Sequence, residues 1–161
     1  MPTPPARLDQ IDRRLLGLLQ SDGRMTNAAL AEAVGLSASA CHRRVARLEA
    51  AGIIEGYGAR LDPARLGRPT SVFVEVRLTS QHESVLDAFE AAVLDGPEVI
   101  ECYLMGGEAD YQLRIAVADM ADYERLHRQF LARLPGVATL RSSFAIRTVC
   151  RRTQMAIPET S

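Results

Sequence analysis

Residues 30–54 read LAEAVGLSASACHRRVARLEAAGII, and this stretch determines the fold of the first part of the chain. Strong helix formers occupy residues 28–34, and the following Gly35 can adopt the left-handed conformation that ends a helix. Ser37 then stands at an N-cap position, where its hydroxyl can accept a hydrogen bond from an unpaired amide of the next turn. A second helix runs from there to Gly52. The pattern predicts two short helices joined by a tight turn, which is typical of a helix-turn-helix.

The second of these helices has two chemically different faces. Cys41, Val45 and Leu48 recur at helical spacing and form one apolar stripe. Small or polar residues open the helix and arginines lie away from the stripe, an arrangement that suits insertion into a DNA major groove. The candidate DNA-binding residues are Ser37, Ser39, His42, Arg43, Arg44 and Arg47. The alternative is an ordinary helical hairpin whose arginines form a solvated face, because matches to such motifs include false positives.

Composition places the chain among globular proteins with one or two small domains. It has 161 residues, of which 47% are hydrophobic and 24% are charged. No apolar run approaches the length of a membrane span, and the first ten residues do not form a signal peptide. We therefore expect a cytoplasmic protein without a membrane partner. The three widely spaced cysteines suit a reducing compartment better than a disulfide framework, and their spacing predicts no metal site.

Charge is distributed unevenly along the chain. The formal net charge is −1, with eight arginines against six acidic residues in residues 1–60 and eleven against fourteen in residues 61–161. This balance excludes a chain-wide attraction to nucleic acid. If DNA is the partner, a local basic patch must bind it, and association of several copies would multiply that patch.

The residues before the quoted stretch predict a further helix. Asp9 is a plausible N-cap, and the Ser-Asp-Gly sequence at residues 21–23 ends the helix. The apolar residues on one of its faces are Leu8, Ile11, Leu15, Leu18 and Leu19. Thr26 or Asn27 caps the helix that follows. Three helices would then pack into a compact trihelical unit.

The chain beyond this unit follows a different pattern. Residues 53–61 are extended and complete a helix-turn-helix domain of residues 1–61, and the proline- and glycine-containing residues 62–69 form a linker. Periodicity then predicts strands at 70–78, 99–105, 110–118 and 137–149, and helices at 84–94 and from Asp119 or Asp122 to 134. This βαββαβ order predicts a ferredoxin-like domain over residues 70–161, so that the whole chain is α+β.

The predicted sheet has apolar residues on both faces. Val72, Val74 and Val76 share one side of the first strand, whereas Phe73 points to the other side. Two helices can cover only one face, and an uncovered apolar face marks an interaction surface. We therefore expect a homodimer in which two sheets pack against each other.

Three motifs together resemble those of a known family: LDQIDRRLLGLLQSDGR at residues 8–24, the stretch at 30–54, and MGGEADYQLRIAV at 105–117. On these motifs the chain is similar to the Lrp/AsnC (feast/famine) family of bacterial and archaeal transcription regulators, from Leu8 to about Ala156. The resemblance implies a winged helix-turn-helix domain that binds double-stranded DNA, followed by the βαββαβ domain. It also implies a sequence-specific regulator without a cofactor, whose assembly and DNA binding respond to a small effector, usually an amino acid. Dimers of such proteins commonly assemble into tetramers, octamers or discs.

The resemblance also implies an effector site at an interface between C-terminal domains, near the hairpin formed by the predicted strands 99–105 and 110–118. Its candidate residues are Met105, Gly106, Gly107, Asp110, Tyr111, Ser142 and Ser143. Backbone amides of the glycine turn could hold a carboxylate, and Asp110 could hold an ammonium group. The alternative is that the glycine pair only supplies positive φ for the turn and that Asp110 only caps it.

Two other functions compete with the regulator. Siroheme decarboxylases, which are enzymes, resemble the same two-part fold, but they need histidine and arginine side chains that converge on a cavity. The C-terminal domain offers only His82 and His127, neither beside the hairpin, and the sequence has no nucleophile triad, phosphate loop or metal spacing. We therefore expect no enzyme. The third possibility is an accessory ligand-binding subunit whose helical domain has lost its affinity for DNA.

Overall fold

A computed structural model of the chain describes residues 8–158. The chain forms two compact units. The first contains the described residues up to Arg60 together with those from Cys150 onward, and the second is Leu61–Val149. The chain therefore crosses from one unit to the other twice. Within residues 8–158, no helix is long and apolar enough to cross a membrane.

The first unit is trihelical, as the sequence predicts. Its helices are α1 (Gln10–Ser21), α2 (Asn27–Val34) and α3 (Ala38–Ala50). Each begins at a side-chain cap: Asp9 accepts from the amide of Asp12, Thr26 from Ala29 and Ser37 from Ala40. Gly35 ends α2 with φ of 72°, the left-handed conformation expected of it. The local sequence therefore sets the bounds of all three helices.

The core of this unit lies where the three helices meet. Leu15 and Cys41 are fully buried, and Val45 packs against the same cluster. The predicted stripe of α3 is thus the face that it buries. Leu16, which lies off the predicted stripe of α1, is also buried. Residues 53–61, which the sequence predicts to be extended, form no strand or helix, and the amides of Ile53 and Ile54 still donate to the carbonyl of Leu48 at the end of α3.

The second unit has the predicted βαββαβ order. Its elements are β1 (Thr70–Leu78), α4 (Glu83–Val93), β2 (Val99–Leu104), β3 (Tyr111–Val117), α5 (Met120–Gln129) and β4 (Val137–Phe144). The strands form one sheet in the order β2-β3-β1-β4, and every neighbouring pair is antiparallel. The ferredoxin-like prediction is confirmed.

The sheet has one covered and one open face. Val72, Val74 and Val76 are fully buried in a core that includes Phe89 of α4 and Leu126 of α5. On the other face of β1, Phe73 remains 40% exposed. Both helices of this unit, α4 and α5, pack on the face of Val72 and leave the face of Phe73 open within Leu61–Val149.

Strands β2 and β3 are shorter than periodicity predicts by one or two residues, whereas α5 and β4 each end five residues early. Helix α5 ends at Gln129 and is followed by a 3-10 turn, Leu131–Arg133, in which Leu131 is fully buried. The tighter turn brings residues three apart onto one face, a spacing that α-helical periodicity misses. Strand β4 ends at Phe144 rather than at 149, because its only neighbour is β1, and Phe144 already pairs with Val72 near the start of that strand.

Replacing Gly136 by alanine should destabilise the fold more than replacing Gly67. Both glycines have positive φ, 72° and 75°, so either alanine is strained by about 1–2 kcal/mol. A Cβ at Gly136 would lie 2.6 Å from Cγ1 of Val85, whereas nothing lies within 4 Å of one at Gly67. We expect an additional loss of about 1–3 kcal/mol for Gly136→Ala, measured by urea unfolding. Equal losses in the two variants would contradict a packing role for this contact.

Candidate functional site

The outer face of α3 carries most of the predicted DNA-binding residues. Ser37, Ser39, His42 and Arg43 are all exposed. The hydroxyl of Ser37 accepts a hydrogen bond from the amide of Ala40 at 3.3 Å, and it lies 3.3 Å from the hydroxyl of Ser39. The start of α3 therefore presents two small hydroxyls beside an imidazole and a guanidinium group.

Arg44 and Arg47 have a different environment, because both reach across to α1. Nη1 of Arg44 lies 2.9 Å from Oδ1 of Asp12 and 2.5 Å from Oδ2 of Asp9. Nη2 of Arg47 lies 2.5 Å from Oδ2 of Asp12, whose side chain is only 1% exposed. A buried carboxylate without partners is costly, so these arginines hold α3 against α1.

The acidic pair also stabilises the start of α1. The amide of Asp12 donates to Oδ1 of Asp9 at 2.8 Å, and the amide of Asp9 donates to Oδ2 of Asp12 at 3.2 Å. The first of these bonds, together with the guanidinium of Arg44, holds the pKa of Asp9 below its ordinary value. Asp9 therefore stays ionised at neutral pH and keeps Arg44 as its partner.

Arg43 has no ion pair within residues 8–158, in contrast to its two neighbours. Its guanidinium group is exposed on the outer face of α3, beside Leu36 and Ala40. Arg43 is therefore the arginine of α3 whose donors are all available to an external anion. The sequence does not distinguish it from Arg44 and Arg47.

The predicted effector residues Met105, Gly106 and Gly107 are exposed at the turn between β2 and β3. Neither glycine has positive φ, and nothing lies within 4 Å of a Cβ built on either one. The idea that they supply positive φ for the turn is therefore wrong. The folded single chain does not require glycine at these two positions.

Asp110 is buried and holds the base of the same hairpin. Its carboxylate accepts hydrogen bonds from the amide of Leu78 and from the side chain of Gln81, each at 2.7 Å. These two donors, in that order, lower the pKa of Asp110 below the ordinary value of 3.8. The carboxylate therefore ties the base of the hairpin to the end of β1, and its described bonds do not cap the glycine turn itself.

Tyr111 belongs to the core of the second unit. Its side chain is 1% exposed, its ring centroid lies 4.5 Å from that of Phe89, and its hydroxyl donates to Glu90 at 2.7 Å. Burial, followed by the nearby Glu90 carboxylate, raises the pKa of Tyr111. Tyr111 therefore packs the base of the hairpin against the core. Its side chain does not reach the outer surface of the hairpin, where a ligand would bind.

The two serines of β4 point to opposite faces of the sheet. Ser142 lies on the helix-covered face, where its hydroxyl bonds that of Tyr123, and Ser143 is exposed on the open face opposite Phe73. Strand β1 separates both serines from the β2–β3 hairpin. A single chain therefore does not bring them onto one surface with the glycine pair.

Sequence reasoning did not identify the partners that position these residues. Asp12 and Gln81 were not candidates, although they hold Arg44 and Asp110 respectively. A signal for the first pairing was present, because Asp9 and Asp12 are three residues apart, as are Arg44 and Arg47. Two pairs of opposite charge with the same spacing can face each other across two helices. Among residues 8–158, no cluster of three or more His, Cys, Asp or Glu side chains could hold a metal ion.

Comparison with protein families gives a match to each unit. Residues 8–55 match the winged helix-turn-helix DNA-binding model, and residues 71–155 match the Lrp/AsnC ligand binding domain. The chain is 45% identical over 147 residues to the Bkd operon transcriptional regulator of Pseudomonas aeruginosa, covering 91% of this chain and 96% of that protein. It is 42% identical over 154 residues to the leucine-responsive regulatory protein of Salmonella typhimurium, covering 96% and 94%.

Solved structures give the same result. A transcriptional regulator from Neisseria meningitidis, crystallised as a complex with L-Met, superposes with a TM-score of 0.87 at 34% identity, covering 93% of this chain and 97% of that chain. An AsnC family transcriptional regulator from Agrobacterium tumefaciens superposes with a TM-score of 0.86 at 35% identity, covering 92% and 97%. The two-part α+β fold is therefore shared with these regulators.

On acidification, the wild-type chain should lose more stability than an Asp110→Asn variant. The folded pKa of Asp110 lies below its ordinary value of 3.8, so the ionised carboxylate stabilises the fold above that pH. This contribution is lost as the pH falls through the folded pKa, and the asparagine variant has no such contribution to lose. Urea unfolding between about pH 7 and about pH 3 measures the difference.

The control is Asp87→Asn, which removes an exposed carboxylate from α4. This variant should keep the acid sensitivity of the wild type. If wild type and Asp110→Asn lost stability in parallel, the carboxylate would not be ionised and bonded as described.

Proposed function

This chain belongs to the Lrp/AsnC family of transcription regulators, and we propose that the outer face of α3 contacts its operator while an amino acid binds at the β2–β3 hairpin. The observation that carries the DNA surface is the contrast between Arg43, which is exposed and unpaired within the described chain, and Arg44, which is bound to α1. An arginine with all its donors free can bind a phosphate or the edge of a guanine.

The six candidate residues of the DNA surface divide into two roles. Ser39, His42 and Arg43 contact DNA directly, and Ser37 does so while it caps α3. Arg44 is a positioning residue, because its guanidinium bonds two carboxylates of α1. Arg47 keeps a 57% exposed side chain and bonds Asp12 through one nitrogen, so its other donors remain available to a phosphate.

The effector site rests on the glycine pair at the hairpin. Gly106 and Gly107 border open space, and neither packing nor backbone conformation within the chain requires glycine there. The absence of a side chain allows a ligand to approach the backbone closely. Backbone amides suit a carboxylate. Since the relatives include leucine-responsive proteins and a regulator solved with L-Met, an amino acid is the ligand class that we propose.

The remaining effector candidates act in two ways. Asp110 and Tyr111 hold the hairpin in place from within, since both are buried and hydrogen-bonded inside the unit. Ser142 and Ser143 lie beyond β1, so they would have to come from a neighbouring copy if they touch the same ligand. The ammonium group of the amino acid then needs an acceptor other than the Asp110 carboxylate.

We further propose that the protein is a cytoplasmic homodimer that assembles into tetramers or octamers, and that it is not an enzyme. The open face of the sheet supports the dimer, because Phe73 is 40% and Tyr103 is 55% exposed on it. A second sheet packed there would bury both rings. Association also multiplies a DNA surface on which each chain contributes few free charges.

Replacing Arg43 by alanine should weaken operator binding without destabilising the protein. Loss of a base- or phosphate-contacting arginine costs about 1–3 kcal/mol of binding free energy, roughly 5- to 150-fold in affinity. Arg44→Ala should instead lower the free energy of unfolding by about 1–3 kcal/mol, because it removes a partner of the buried Asp12. Fluorescence anisotropy with the region upstream of its own gene and urea unfolding measure the two effects.

Arg65→Ala is the matched control, since it removes one positive charge from an 88% exposed side chain outside the first unit. It should change neither the free energy of operator binding nor the free energy of unfolding by more than about 0.5 kcal/mol. Normal operator binding by Arg43→Ala would refute the proposed surface. Absence of any salt-dependent binding by wild type would favour the accessory-subunit alternative.

A valine at Gly107 should abolish effector binding while the fold is retained. Nothing within the chain lies near the added side chain, but it would occupy the space next to the turn amides. Calorimetric titration of wild type and Gly107→Val with the common amino acids measures this. Gly58→Val is the control, because Gly58 also has open space and no positive φ, but lies in the first unit. If no amino acid binds the wild type, or the Gly107 variant binds equally well, the hairpin is only a turn.

A further inference from the structure

The last nine described residues, 150–158, lie in the first unit although they follow the final strand of the second. We refer to them as the C-terminal segment. They form no helix or strand. Only residues 145–149 separate the segment from the end of β4 at Phe144. Its position has to be explained by contacts with the helical unit, because its own sequence has no regular structure to stabilise it.

A reciprocal pair of hydrogen bonds joins α1 to the middle of this segment. The amide of Met155 donates to Oε1 of Gln20 at 2.6 Å, and Nε2 of Gln20 donates to the carbonyl of Met155 at 3.1 Å. The side chain of Gln154 also donates to the backbone carbonyl of Gln20 at 3.3 Å. A glutamine amide thus pairs with a backbone amide unit in the way that a neighbouring β-strand would.

Two arginines bind the segment near its two ends, again through its backbone. Nε of Arg13 lies 3.1 Å from the carbonyl oxygen of Pro158, and Nη2 of Arg60 lies 3.0 Å from that of Arg151. Together with Gln20, they hold three points along an extended chain. The recognition is directed at the main chain, which is how grooves bind extended peptides.

An apolar groove lies beneath these anchors. It is an open pocket of about 420 Å³ bordered by α1, residues 53–57 and the segment itself. Its walls include Leu16, Leu19 and Ile53, and Ile157 of the segment lines it. Ile157 is half-buried, while Met155 stays 79% exposed. The contact therefore combines main-chain hydrogen bonds with burial of one side chain of the segment.

We infer that the helical unit is the docking site of the chain's own C-terminal segment, which is held by its main chain and forms one wall of this groove. The occupant comes from the same chain, because residues 145–149 form a short tether that gives the segment a high local concentration. This inference goes beyond the proposed function and depends on neither DNA nor effector binding.

Hydrogen exchange of the full-length protein tests the docking. In wild type the amide of Met155 should be protected, and Gln20→Ala should speed its exchange about tenfold, because it removes the acceptor of that amide. Gln20→Glu keeps the acceptor but loses the donor to the Met155 carbonyl, and should give an intermediate rate. Gln10→Ala makes the same change at the exposed start of α1 and should leave the Met155 amide protected.

A second pair of variants leaves α1 unchanged. Met155→Pro removes the amide that donates to Gln20, and it should shift the side-chain amide signal of Gln20 in the NMR spectrum of the protein. Thr153→Pro places the same ring at a residue whose amide makes none of these bonds, and should leave that signal unchanged. Wild-type exchange of the Met155 amide in Gln20→Ala, or an unchanged Gln20 signal in Met155→Pro, would overturn the inference.

The source of the segment is tested by a photo-reactive benzoylphenylalanine in place of Ile157. Irradiation should give cross-links to α1 or to residues 53–57, in a product that migrates as one chain on a denaturing gel. A product that migrates as two chains would show that the groove takes the segment of a second copy. Cross-links to other parts of the chain would show that the segment is not docked there. Either result would overturn intramolecular docking.

Discussion

A buried carboxylate fixes the part of the molecule that faces DNA. The side chain of Asp12 is 1% exposed, and a charge so far from water must be fully paired. Its partners are the capping amide of Asp9 and the guanidinium groups of Arg44 and Arg47. Apolar contacts along the inner stripe of α3 would by themselves allow the helix to slide or rotate by small amounts. The bonds from Arg44 and Arg47, which lie one turn apart, prevent this movement, so that α3 presents one particular face.

In the second unit, a buried carboxylate likewise positions the hairpin between β2 and β3. Asp110 receives one bond from the end of β1 and one from Gln81, and the buried Tyr111 beside it bonds Glu90. The groups that look like ligand-binding chemistry in the sequence therefore hold the turn in place. What remains on its surface is the backbone of Gly106 and Gly107 together with the exposed side chains of Met105 and Glu108.

The sequence was most informative where structure is decided locally. The caps at Asp9 and Ser37, the left-handed Gly35 and the alternation of β1 depend on neighbours within a few residues, and they were predicted correctly. The direction and the partner of a polar side chain depend instead on elements that are distant in sequence. Nothing near Arg44 indicates that it turns toward α1 while the adjacent Arg43 faces outward. The same holds for residues 150–158, which sequence pattern groups with the second domain but which contact Gln20.

The discontinuity of the first unit has a consequence for synthesis. Its helices emerge first from the ribosome, and domains generally begin to fold in that order. Residues 150–158, which line its groove, emerge only after the entire sheet has been made. Until then, Leu16, Leu19 and Ile53 border an uncovered apolar surface on the nascent chain. The helical unit is therefore begun before the sheet and completed after it. A ribosome that stops before residue 150 releases a chain whose helical unit lacks the hydrogen bonds between Gln20 and Met155.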